Sequence, residues 1–182
     1  MNYLLFENIL KQISNKKIRN FTIKCLESIP PEFEQLRASS TGKYHPPECN
    51  EVGGIIVHIQ RACYFANMLF NAYGWENYNI KGDIVLSSLL LHDIAKKNKY
   101  EFGWMYPMHP QLACKIISKF KNLLDDKLFQ IIYNCILHHM GNFGVKEAKK
   151  PMESFTFLEL MVYQCDYLAS RKEIKLFNSE NI

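Results

Sequence analysis

The stretch that decides the fold is Ile84-Val85-Leu86-Ser87-Ser88-Leu89-Leu90-Leu91-His92-Asp93-Ile94-Ala95-Lys96. Apolar side chains cover most of its helical circumference. The spacing therefore predicts a central, buried helix from Ile84 to Lys97, with Asp83 as its N-cap. His92 and Asp93 come directly after three leucines, which places an imidazole and a carboxylate in the apolar middle. A carboxylate is costly there unless it is paired or coordinates a metal.

Working outward, helical spacing recurs and alternating strand patterns do not. Helices are expected over 3–14, 17–28, 52–72, 110–121, 125–140 and 153–172. Pro30 and Pro31 stop the second helix and open a short one through Leu36. Residues 38–50, 74–82, 98–108 and 141–150 read as loops, and the last ten residues as a tail. Asp125-Asp126 reads as a helix N-terminus. The expected fold is all-α, a bundle of about seven to eight helices in one domain spanning 1–182.

Composition narrows the class. Hydrophobic residues make up 48% and charged residues 22%, the profile of a globular chain rather than a disordered one. A net charge of +4 favours anionic partners but is too small to signal nucleic-acid binding by itself. The six cysteines form no CxxC pair and read as buried reduced thiols, which suggests a reducing compartment. Glu7 and Asn8 interrupt the N-terminal apolar run, so no signal peptide is read, and no run reaches membrane-helix length. A soluble, cytoplasmic protein with no membrane partner is expected.

Asp166 repeats the problem of Asp93, within Leu160-Met161-Val162-Tyr163-Gln164-Cys165-Asp166-Tyr167-Leu168-Ala169. The six histidines, His45, His58, His92, His109, His138 and His139, all lie between residues 45 and 139. Buried imidazoles and carboxylates on separate helices offset their desolvation by converging on a divalent cation.

At this point the sequence resembles the HD superfamily of metal-dependent phosphohydrolases. The resemblance rests on His58 in Gly53-Gly54-Ile55-Ile56-Val57-His58, on His92-Asp93 with Lys96 three residues on, and on Asp166. It spans about residues 40–172, leaving 1–38 as an N-terminal helical extension. His109-Pro110 and His138-His139 are similar to the extra histidines of two-metal members, among them HD-GYP-type phosphodiesterases, although the GYP portion is not evident. The loop Thr41-Gly42-Lys43-Tyr44-His45-Pro46 looks like a segment of bacterial 3′–5′ exonuclease and phage-type HD domains.

The resemblance implies a first metal on His58, His92, Asp93 and Asp166, and a second, bridged by Asp93, on His109, His138 and His139. Candidate cofactors are two divalent ions drawn from Mn, Fe, Co, Ni, Zn or Mg. The implied reaction is attack by a metal-activated hydroxide on a phosphate ester of a nucleotide or oligonucleotide, with Asp93 and Lys96 catalytic. Lys43, Tyr44, His45 and Arg61 are the implied substrate contacts. Expected partners are a phosphate-containing small molecule or oligonucleotide, together with further copies of the chain. Competing expectations are a nucleotide phosphatase or dNTP triphosphohydrolase, a catalytically inactive metal-binding regulatory module, and di-iron oxygenase chemistry. The aromatic residues Tyr100, Phe102, Trp104 and Tyr106 read as packing a loop onto the core in preference to stacking a base.

Overall fold

The computed structural model describes residues 1–39, 41–74, 79–96 and 107–176, and among these it contains helices and no strand. Among the described residues seven α-helices follow one another: α1 (Glu7–Leu10), α2 (Lys16–Glu27), α3 (Gly54–Ala72), α4 (Ile80–Leu91), α5 (His109–Ile117), α6 (Asp126–Leu137) and α7 (Phe157–Ala169). Short 3-10 turns join them. The aromatic segment expected at 98–108 lies mostly outside the described residues.

α4 is the central element. Every residue from Gly82 to Leu91 is buried, the polar Asp83, Ser87 and Ser88 included, as a mostly apolar circumference requires. It packs against α2, α3, α6 and α7. N-terminal residues Phe6, Leu10, Ile13 and Ile18 share the same continuous core as Leu89, Ile132 and Val162. All six cysteines are free and buried within the structure, and burial raises the Cys135 thiol to about 12. Among the described residues no helix is long and apolar enough to cross a membrane.

Several boundaries differ from those expected. Helix α4 begins four residues before Ile84, because the Asn79 side chain accepts from the backbone N–H groups of Lys81 and Gly82. Asp83 is not the cap. It is buried and accepts from Ser14 N, Ser14 Oγ and Asn15 N, each at 2.9 Å. Those bonds hold the turn before α2, whose own cap is Asn15. The helix expected over 3–14 is a 3-10 turn at Tyr3–Phe6 followed by the four residues of α1. Helix α7 starts at Phe157, where Thr156 and Glu159 form a reciprocal capping box. Asp125 caps α6 by accepting from Leu128 N–H, in keeping with its reading as a helix N-terminus.

The glycine pair before His58 has a steric cause. Gly53 adopts φ 81°, a left-handed backbone that favours glycine. A Cβ on Gly54 would lie 2.2 Å from the Cys49 carbonyl oxygen. The loop through Cys49 can therefore lie directly on the first turn of α3, where Ile55 N–H donates to Leu36 O at 3.0 Å. This contact fixes the start of the helix that carries His58.

Candidate metal centre

Two of the cluster's imidazoles stand at helix C-termini, where the last carbonyls lack intrahelical partners. His92 is the residue following α4, and its Nδ1 donates to Leu89 O at 2.7 Å. His139 follows α6 by two residues, and its Nδ1 donates to Ile136 O at 2.7 Å. In each case the bond fixes the tautomer and leaves Nε2 as a lone-pair donor facing inward. The negative ends of both helix dipoles favour positive charge at the same place.

Asp93 lies at the centre. Its two oxygens face two different sets of nitrogens. Oδ2 is 3.4 Å from His58 Nε2 and 3.3 Å from His92 Nε2. Oδ1 is 3.2 Å from His109 Nε2 and 3.7 Å from His139 Nε2. Asp166 Oδ1, from α7, lies 3.0 Å from His58 Nε2 and 3.5 Å from His92 Nε2. The His109 and His139 Nε2 atoms are 3.1 Å apart. Lys96 Nζ makes an ion contact with Asp93 Oδ2 and also reaches Ala38 O at 3.4 Å.

These residues fit a divalent cation on three counts. First, among the described residues neither oxygen of Asp93, the Lys96 ion contact at Oδ2 aside, nor Nε2 of His58 or His92 has a hydrogen-bond partner, and all are buried. Second, the donor atoms form three sets, His58-His92-Asp93, His92-His139-Asp166 and Asp93-His109-His139, each within 4.8 Å. Third, four ligands at about 2.0–2.2 Å from a tetrahedral ion stand about 3.3–3.6 Å from one another, which falls within the 3.0–3.7 Å separations seen here.

The electrostatics show the demand for positive charge. Burial opposes a charged His92, yet the Asp93 and Asp166 carboxylates raise it to about 10. Burial likewise opposes ionised Asp93 and Asp166, but the surrounding imidazoles, and Lys96 beside Asp93, hold both well below the usual carboxylate range. Burial pushes His139 down to about 3, helped by His92 and His109, and it lowers His58 too. His139 and His58 are thus neutral imidazoles, each with a lone pair on offer. A proton on His92 and a divalent cation compete for the same nitrogen.

Not every expected residue joins the cluster. His138, expected as a ligand, is the C-cap of α6 (φ −100°, ψ 6°), and its Nδ1 bonds Ala148 O at 3.0 Å. It therefore ties the following loop to α6 and belongs to none of the three donor sets, all of which use His139 or neither of the pair. Arg61, expected as a phosphate contact, is 1% exposed. Its guanidinium donates to Ala169 O, Glu48 Oε1 and Ile174 O at 3.0–3.2 Å, clamping the C-terminal segment to α3. His45 is no member of a donor set, but its ring lies 5.1 Å from that of His58. Burial first, then His58, lowers it to about 3. Lys43 and Tyr44 are exposed on the adjoining loop, with Lys43 Nζ 5.1 Å from the Tyr44 ring centroid.

Residues 55–171, well over half of the chain, match the HD-domain family. The chain belongs to the HD-domain family, whose members are generally metal-dependent phosphohydrolases that bind divalent metals. No curated protein and no solved structure matches it.

Proposed function

We propose that this chain hydrolyses a phosphate ester of a nucleotide or oligonucleotide, with two divalent cations held on either side of Asp93. The observation that carries this reading is the split environment of that carboxylate: Oδ2 faces His58 and His92, while Oδ1 faces His109 and His139. A one-ion site needs only one of those sets. His58, His92, Asp93 and Asp166 would hold one cation, and Asp93, His109 and His139 the other. Bound there, such ions lower the pKa of water from about 15.7 toward about 7 and neutralise charge on phosphoryl oxygens.

The chain's own residues supply the rest. The Leu89 and Ile136 carbonyls lock two imidazoles in position before substrate arrives, so no reorganisation is needed during reaction. Lys96 keeps a fixed positive charge at the edge of the cluster, where it offsets negative charge developing on the ester. Asp166 is the most accessible of the candidate ligands, with 22% of its side chain exposed against 1% for Asp93. Substrate therefore approaches along α7.

The test is metal analysis of unchelated protein joined to turnover of bis-p-nitrophenyl phosphate and of p-nitrophenyl phosphate. Bound metal with turnover of the diester is expected. Turnover of the monoester alone favours a nucleotide phosphatase, and bound metal without turnover of any phosphate ester favours a regulatory module.

A further inference from the structure

Beside the opening at Asp166, planar and cationic groups follow one another across two elements. On α7 the Tyr163 and Tyr167 rings are stacked, with centroids 6.2 Å apart and planes inclined by 21°. The Arg171 guanidinium lies 4.4 Å from the Tyr167 ring and 5.0 Å from the Tyr44 ring. Lys43 Nζ also lies over the Tyr44 ring, 5.1 Å from its centroid. The backbone joins the two elements, since Lys172 N–H donates to Tyr44 O at 2.8 Å.

Tyr163 is partly buried and packs edge-on against Phe155 at 5.7 Å, but core packing does not account for Tyr44 and Tyr167. Tyr44 is 48% and Tyr167 45% exposed, so each large ring leaves much of its surface in water. Two members of the series neighbour site residues along the chain. Tyr167 follows Asp166, and Tyr44 precedes His45, whose ring packs on that of His58. Half-exposed tyrosine rings interleaved with Lys43 and Arg171 match a chain of bases joined by phosphates. Bases stack on rings regardless of sequence, and cations track the backbone.

We infer that the series Tyr163, Tyr167, Arg171, Tyr44 and Lys43 is a stacking track for single-stranded nucleic acid that lays the phosphodiester backbone at the metal centre. The inference rests on the proposed hydrolysis only for what happens at the centre; base binding stands independently of it.

The test is fluorescence anisotropy in chelator, which prevents cleavage. It uses a labelled short oligothymidylate and an abasic strand of equal length and charge. One stacked base contributes on the order of a 5- to 150-fold preference. The wild-type chain should prefer the thymidylate by that factor. Tyr167→Ala should lose at least fivefold of the preference, and Tyr167→Trp should keep it. Photo-crosslinking of a bromouridine-containing strand to the wild-type chain should label Tyr44, Tyr163 or Tyr167, which keeps the test decisive even if Tyr167→Ala fails to fold. Equal or absent binding of the two wild-type probes, an intact preference in folded Tyr167→Ala, or adducts confined to other faces would each overturn the track. An intact preference without turnover of either p-nitrophenyl ester overturns the hydrolase reading and spares the track. Turnover without preference does the reverse.

Discussion

Replacing Asp93 by alanine tests the shared-ligand geometry most directly. The carboxylate is fully buried and turns one oxygen to each set of imidazoles, so one deletion removes a ligand from both. A cation that binds only the native chain stabilises it by about 2.7 kcal/mol when present at a hundredfold excess over Kd. In a chain of 182 residues, each kcal/mol moves Tm by about 2–4 °C. Metal should therefore raise the Tm of the chelated wild-type protein by about 5–11 °C. If Asp93→Ala weakens binding by about a hundredfold, the same concentration leaves about 0.4 kcal/mol, or about 1–2 °C. Differential scanning fluorimetry of each protein, chelated and metal-loaded, reads the two shifts. Comparing each protein with itself removes the effect of stranding Lys96 without its carboxylate partner. A metal-dependent shift in Asp93→Ala equal to that of the wild type would refute the reasoning.

Three further outcomes are expected. His139→Ala should reduce metal-supplemented diester turnover at least tenfold, whereas His138→Ala should cost about 1 kcal/mol in urea unfolding through its lost bond to Ala148 O, with turnover per folded molecule within about threefold of wild type. Gly54→Ala should destabilise the fold by about 1–3 kcal/mol or more in the same assay, because its Cβ would meet the Cys49 carbonyl at 2.2 Å. Burial favours a neutral Glu159, but Lys150 and the Thr156 N–H hold its pKa below the ordinary 4.5. Its folded pKa is thus the lower one, so its contribution is present above about pH 4.5 and fades as pH falls through the folded value. Urea unfolding across that range should show a flatter acid limb for Glu159→Gln than for the wild type, and parallel limbs would contradict the assignment.

Much of the site was legible because burial and chemistry conflict openly in the sequence. Three leucines before His92-Asp93 fix a charged pair inside, and an apolar helix around Asp166 does the same. The capping box at Thr156 and Glu159 was also readable from its four-residue spacing, and it places the start of α7 four residues later than the apolar pattern suggests. The competition between Asn79 and Asp83 as N-cap was not readable. Both residue types cap well, and only the approach of Ser14 and Asn15 claims the Asp83 carboxylate.

The sequence by itself determined the all-helical class, the central place of α4 and the set of residue types that a cation requires, since periodicity and residue chemistry are local properties. Tertiary structure decided which of His138 and His139 faces the centre, because adjacent residues at a helix end diverge by about 100° and the backbone after Leu137 chooses between them. It also withdrew Arg61 into the core and aligned Tyr167, Arg171 and Tyr44, because side chains more than a hundred residues apart share a surface only after α7 has packed on α3.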